Sequence, residues 1–147
     1  RQSLGFFQET KGERLTVGLG FPRVSSFREP TPAATSQTYT FTVTAPGSSY
    51  YTITGADKNG AVSGNNPPIT CNVGDTLIFN VSVSGHPFWI KTVPVTGTGS
   101  TVSTGVDRNG STSGAITWDT SGANVDEYWY ICQYHGGMSR NIILEAP

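Results

Sequence analysis

The sequence predicts an all-β protein built as a sandwich of short strands. Apolar side chains occupy every second position in residues 38–44 and again in residues 76–83, which is the period of a strand with one buried face. Glycine is abundant at 18 residues, and Thr, Ser and Val recur along the chain, a composition typical of strands joined by tight turns. No segment has a convincing helical pattern.

About eight segments have the composition and the flanking turn residues of a strand. They are residues 38–44, 50–54, 69–73, 76–83, 88–92, 115–118, 127–132 and 140–145.

Two further segments, residues 55–64 and 105–114, share the pattern Gly-x-Asp-basic-Asn-Gly-x-x-Ser-Gly. The Asn-Gly pair is favoured in turns that need positive φ, so we predict two turn-rich loops. Calcium binding is a weaker hypothesis, because each segment offers one carboxylate and lacks the Glu that closes an EF-hand loop.

The chain divides near residue 35. Residues 1–35 carry five basic and three acidic side chains and include apolar groups such as Phe6 and Phe7, while Pro30 and Pro32 favour an extended backbone. We predict an extended N-terminal arm or linker over residues 1–35, either a tail, an edge strand or a segment that docks on a neighbouring chain. Residues 36–147 form the predicted β-sandwich domain.

The composition excludes several classes of function. Charged residues make up 13% of the chain and the net charge is −1, so no nucleic-acid partner is expected. No stretch approaches the roughly 20 apolar residues of a membrane span. The chain starts without Met or an apolar signal core, so it is expected to begin after processing or as a fragment. It has no carboxylate-pair motif, Ser-His-Asp order or phosphate loop, and we therefore expect no enzyme activity.

The chemistry-bearing residues cluster in one stretch. Residues 127–138 contain Cys132, His135 and Met138, the single methionine, and the other of the two histidines is His86 in Ser-Gly-His-Pro. A thiolate, two imidazoles and a thioether are the donors of a copper electron-transfer site with three strong ligands and a weak axial one.

Other interpretations of these residues remain open. Cys71 and Cys132 are the only cysteines and form a disulfide in one alternative, although that leaves the nearby His and Met unexplained. Zinc suits Cys and His as well. His86 also fits a polar strand end, and Met138 also fits a core position.

With its first His after the strand Asp-Thr-Leu-Ile-Phe-Asn-Val and its Cys-x2-His-x2-Met loop before the last strand, the sequence resembles the cupredoxins, the blue-copper fold of plastocyanin and azurin. The resemblance covers roughly residues 37–147. It implies a Greek-key β-sandwich with one mononuclear copper ion, His86, Cys132 and His135 as equatorial ligands, and Met138 as the axial ligand.

Two features depart from that pattern. The His-to-Met spacing is shorter than in plastocyanin-like proteins, and Gly136 and Gly137 are expected to let the short loop close because glycine tolerates unusual backbone angles. Pro87 stands where many members have an Asn that braces the ligand loops, so the bracing must come from elsewhere.

The resulting hypothesis is one-electron transfer to a protein redox partner. The expected electron exit is an apolar patch of Phe88, Trp89, Tyr134, Gly136 and Gly137, and the resemblance suggests an exported protein. The alternative is a structural module of an extracellular or particle assembly, such as a virion, in which the arm docks on a neighbouring subunit and copper is stabilising or vestigial.

Overall fold

The computed structural model describes Pro30 and residues 32–147. The predicted arm of residues 1–35 therefore lies almost entirely outside the described residues, and its role stays a prediction. Residues 34–147 form one compact unit. Within the described residues, no helix is long and apolar enough to cross a membrane.

Ten strands and one three-residue 3₁₀ helix make up the described part of the chain. The strands are β1 (Thr38–Thr44), β2 (Thr52–Asp57), β3 (Gly60–Asn65), β4 (Ile69–Asn72), β5 (Thr76–Ser82), β6 (Phe88–Lys91), β7 (Val106–Asp107), β8 (Ser113–Asp119), β9 (Asp126–Cys132) and β10 (Ser139–Glu145), and the 3₁₀ helix is Thr120–Gly122.

The strands form two mixed sheets. One sheet has four strands in the order β4-β10-β9-β6, and the other has six in the order β3-β2-β1-β5-β8-β7. Strands β1 and β5 pair in parallel, as do β4 and β10, while the other pairs are antiparallel. From β4 onward the chain crosses repeatedly between the sheets. The predicted all-β Greek-key sandwich, which the resemblance to the cupredoxins implied, is confirmed.

The two repeated glycine-rich segments differ from the prediction, because each contributes to strands as well as turns. The first forms the β2–β3 hairpin, in which Lys58 and Asn59 are the turn residues and Asp57 pairs with Gly60. Positive φ falls on Gly60 at 118° and not on Asn59, so the turn lies one residue earlier than the Asn-Gly pair suggested. In the second segment only the short strand β7 precedes the turn. These strands were not predicted because they consist mainly of small or polar residues and lack an alternating apolar face. Their pairing depends on backbone hydrogen bonds.

The alternating pattern of the sequence predicts the core correctly. Phe41 and Val43 of β1 are fully buried, and so are Leu77 and Phe79 of β5. Phe88 of β6 lies between the sheets, with ring centroids 5.0 Å from Phe79 and 5.4 Å from Tyr130. Cys132 and Met138 belong to the same buried cluster. The well-packed aromatic core therefore extends up to the end of the sandwich where the candidate donors lie.

Candidate metal centre

Strand pairing brings the first histidine to the ligand loop. Cys132 is the last residue of β9, and its Cα partner across the sheet is Phe88, the first residue of β6. His86 precedes Phe88 by two residues, in the β5–β6 loop, so it lies beside Cys132 although 46 residues separate them in sequence. His135 and Met138 lie in the loop between β9 and β10.

The structure brings three donor groups together at this end. The Sγ of Cys132 lies 3.7 Å from Nδ1 of His86 and 3.5 Å from Nδ1 of His135. The donor atoms of the three residues all lie within 4.8 Å of one another, with Cys132 buried and both histidines half-buried. The ring centroids of the histidines are 5.0 Å apart. Both imidazoles therefore direct the same nitrogen, Nδ1, toward the thiol.

These separations fit a small thiophilic metal ion. A metal with M–S of about 2.3 Å and M–N of about 2.0 Å, at angles between tetrahedral and trigonal, places S and N roughly 3.5–3.8 Å apart. The observed distances of 3.5 and 3.7 Å lie at that spacing. One thiol and two imidazoles suit copper or zinc, and the addition of a thioether favours copper.

Met138 is tied by its backbone to the other donors of the loop. Its N–H donates to the carbonyl of His135 at 3.1 Å, and its carbonyl accepts from the N–H of Cys132 at 3.0 Å. The residue is fully buried. Gly136 and Gly137 are the central residues of the turn that this first bond closes, but neither has positive φ. The short loop thus closes without the conformational freedom that we expected the glycines to supply.

Backbone groups surround the thiol and connect the loops. The N–H of Tyr134 lies 3.5 Å from the Sγ of Cys132. The N–H of Gln133 donates to the carbonyl of Pro87 at 3.1 Å, and the side chain of Gln133 accepts from Nε1 of Trp89 at 3.0 Å. The N–H of Tyr134 thus faces the sulfur, and the bonds of Gln133 connect the ligand loop with the residues that follow His86.

Two residues near the donors were missed by the sequence analysis. Tyr51 is fully buried, and its hydroxyl donates to the carbonyl of His86 at 2.7 Å. Burial raises the pKa of Tyr51 well above its usual value, with a smaller contribution from Cys132, so the hydroxyl stays protonated as a donor. Asn66 donates from Nδ2 to the carbonyl of Gly137 at 3.0 Å. Its position before Pro67 is a turn signal that was available in the sequence.

The predicted exit patch is partly at the surface. Tyr134 is 61% exposed, Gly136 and Gly137 are exposed, and Trp89 is half-buried. Phe88 is fully buried and therefore contributes no surface to the patch. Its place is in the core beneath the site.

Both cysteines are free and buried, so the structure contains no bond between Cys71 and Cys132. Cys71 lies on β4, and burial raises the pKa of its thiol to about 12. A thiol with such a pKa is a small apolar core residue at neutral pH.

No family model matches the chain, and no curated protein sequence matches it. Among solved structures, it is similar to rusticyanin from Thiobacillus ferrooxidans, with 18% identity and a TM-score of 0.47 over 76% of this chain and 79% of that one. A variant rusticyanin aligns with 17% identity and a TM-score of 0.48 over 76% and 79% of the two chains. A further rusticyanin structure, described as a copper protein, aligns with 18% identity and a TM-score of 0.47 over 76% and 80%.

Proposed function

We propose that the chain binds one copper ion through His86, Cys132, His135 and Met138, and that it transfers single electrons. The observation that supports the proposal most directly is the approach of two imidazole Nδ1 atoms to one buried thiol, at 3.5 and 3.7 Å. When bound, copper supplies a one-electron couple between its cuprous and cupric states.

Each of the four candidate ligands would have its own role in such a site. Cys132 would hold the ion through its sulfur, beside the N–H of Tyr134. His86 and His135 would hold it through ring nitrogens, and both rings are half-buried. Met138, which is fully buried, would add a soft and weak thioether donor. A β-sandwich holds all four side chains with little freedom to rearrange, as rapid electron transfer requires.

The residues on either side of the histidines support a redox partner that docks through an apolar surface. Residues 84–90 and 133–139 contain no Asp, Glu, Lys or Arg, and Tyr134, Gly136 and Gly137 are exposed there. We propose that a partner docks on this surface through apolar contact. Its association rate should then depend little on ionic strength, because no charged cluster steers the encounter.

Visible absorption after addition of Cu(II) tests the metal site. The wild-type protein should develop an intense thiolate-to-copper charge-transfer band, and Cys132→Ser should lack it because the donor sulfur is gone. Cys71→Ala is the matched control and should keep the band, since Cys71 lies on a different strand, at the edge of the four-stranded sheet.

Two results would contradict the proposal: a wild-type protein that binds copper without the band, or a Cys132→Ser variant that keeps it. Voltammetry of the copper-loaded protein adds an independent check on electron transfer. It should show a reversible couple that involves one electron.

A further inference from the structure

The two loops that carry the donors need a connection, and the residue next to His86 supplies no side chain for one. Pro87 has neither a backbone N–H nor a polar side chain. A backbone link runs from the N–H of Gln133 to the carbonyl of Pro87 at 3.1 Å, and the side chain of Gln133 accepts from Nε1 of Trp89 at 3.0 Å. These contacts are made by Gln133, at the start of the ligand loop. They do not hold the end of that loop, at Gly137 and Met138.

Tyr51 holds the β5–β6 loop, which carries His86, from the core side. It lies immediately before β2 and is fully buried. Its hydroxyl contacts two successive carbonyls, that of His86 at 2.7 Å and that of Pro87 at 3.2 Å. The ring packs edge-on against Phe88, with centroids 5.1 Å apart. A rigid aromatic side chain thus fixes the backbone of the first candidate ligand from within the core.

Asn66 joins Tyr51 to the second loop. Its backbone N–H donates to the carbonyl of Tyr51 at 2.8 Å, and its Oδ1 accepts from the N–H of Tyr51 at 2.9 Å. The Nδ2 of the same amide donates to the carbonyl of Gly137 at 3.0 Å. Asn66 has a φ of 46°, a left-handed conformation that Asn tolerates better than most residues. The side-chain amide of Asn66 therefore connects Tyr51 with the ligand loop through two hydrogen bonds.

We propose that Tyr51 and Asn66 form a brace between the His86 loop and the His135–Met138 loop, and that they are positioning residues for the metal site. The brace replaces the polar side chain that is missing beside His86. It holds the backbone at both loops, so the donor atoms keep their separations whether or not a metal is present and whatever its charge. Its effect on electron transfer rests on the proposed copper function, whereas its effect on the loops does not.

Hydrogen exchange of the metal-free protein tests the brace without reference to copper. Tyr51→Phe removes the hydroxyl and keeps the ring, and Asn66→Gly removes the amide at a residue with positive φ. The amides of Gln133 and Met138, which bond to Pro87 and His135, should exchange about tenfold faster in both variants, because one lost hydrogen bond changes a local equilibrium by that order. The amide of Ala123, bonded to Thr120, should exchange at the wild-type rate.

Two matched controls separate bracing from general loss of stability. Tyr128→Phe removes a mostly buried hydroxyl that bonds only to the backbone of Asn124. Ser100→Gly places glycine at another residue with positive φ, 57°. Both should leave the amides of Gln133 and Met138 unchanged. Wild-type exchange of these amides in Tyr51→Phe and Asn66→Gly, or equal acceleration at Ala123, would overturn the brace.

The copper-loaded protein gives the second readout. Tyr51→Phe and Asn66→Gly should keep the charge-transfer band, since all four donors remain, but their electron self-exchange should slow by about tenfold because the donors rearrange more. The double variant should be no slower than the single ones, since the two residues act as one unit. Unchanged self-exchange would overturn the role in electron transfer. A wild-type protein without the band would refute the proposed function, and hydrogen exchange would still decide the brace.

Discussion

Cys132 differs from the other donors because it belongs to a strand. It ends β9, and its neighbours in the sheet are β10 and β6. The two histidines lie in loops, and each has one ring nitrogen directed at the sulfur. The thiol therefore sets the position of the site, and the loops adjust the imidazoles around it. The hydrogen bonds that hold the two loops therefore help to set the geometry of the candidate site.

Cys71 should behave as an inert core thiol. In the Cys132→Ser background it is the sole cysteine, and a thiol reagent at pH 8 should modify it only after denaturant is added, because it is fully buried and burial raises its pKa to about 12. Rapid modification of the folded variant would contradict this environment. Spectrophotometric thiol titration measures the rate.

The same pKa predicts a pH dependence of stability. Below about pH 7.5 the thiol is protonated in both states, because an ordinary cysteine has a pKa of about 8.5. As the pH rises from there toward 12, the unfolded chain loses the proton first, while the folded protein, whose pKa is about 12, retains it. The unfolding free energy should therefore fall as pH rises through this range. Urea unfolding should show a smaller fall in Cys71→Ala, and an identical pH profile in the two proteins would count against the assignment.

At the level of single residues, the sequence indicated the candidate donors but not the residues that support them, and the structure brings His86, Cys132 and His135 together. Cys132, His135 and Met138 are rare residue types within seven positions, and their clustering is visible in one dimension. Tyr51 and Asn66 act on backbone carbonyls 35 and 71 residues away. A carbonyl leaves no signature in the sequence, so such contacts appear only when the fold is known.

The loop between β7 and β8 acts as an edge partner for β6. The side chain of Asn109 accepts from the N–H of Ile90 at 2.8 Å and donates to its carbonyl at 3.0 Å, and so occupies the place of a neighbouring strand. Gly110 lies so close to the ring of Trp89 that a Cβ there would be 2.3 Å from Cζ2. The second glycine-rich segment, residues 105–114, was predicted as a turn-rich loop. It also supports β6, the strand that follows His86.

Gly110→Ala should destabilise the protein by about 2 kcal/mol, because the added methyl meets a rigid ring and alanine disfavours positive φ. A Cβ at this residue would lie 2.3 Å from Cζ2 of Trp89, and φ is 84°. Gly99→Ala is the matched control, since a Cβ there meets nothing within 4 Å. Urea unfolding of both variants checks the difference, and equal stabilities would show that the loop can move away from Trp89.

Among the elements, strands with an alternating apolar face were predicted and strands of small polar residues were not. β1 and β5 bury every second side chain, whereas in β3 only Val62 is buried. β7 has two residues and none is buried. Strands of this second kind form because a neighbouring strand offers backbone partners: β3 pairs with β2, and the two-residue β7 pairs with the longer β8.

For the whole molecule, metal binding should be coupled to folding, because the candidate donors converge only when β6 has paired with β9. Cu(I) added anaerobically at about a hundred times its dissociation constant should raise the unfolding free energy by about 2.7 kcal/mol. Urea unfolding with and without the metal measures this increase. Cys132→Ser should gain much less, and an equal gain in that variant would place the bound copper elsewhere on the protein.

The arm of residues 1–35, the exported location and the alternative role in an extracellular or particle assembly stay predictions. They depend on residues outside the described part of the chain and on partners that the sandwich alone does not identify. The sequence predicted the sandwich itself because its two longest alternating stretches became β1 and β5, which pair in parallel at the centre of the larger sheet.

The position of β10 in the four-stranded sheet has a consequence for biosynthesis. A polypeptide is made from its amino end, and β10 fills an interior place between β4 and β9. Cys132 at the end of β9, the loop of residues 133–138 and β10 itself are made last among the described strands and loops, and the stretch 132–138 holds three of the four candidate donors. The nascent domain therefore lacks a complete set of candidate donors until residue 145 has been added. Loading of the proposed copper ion should then follow synthesis of this domain and draw on the copper that the folded domain meets.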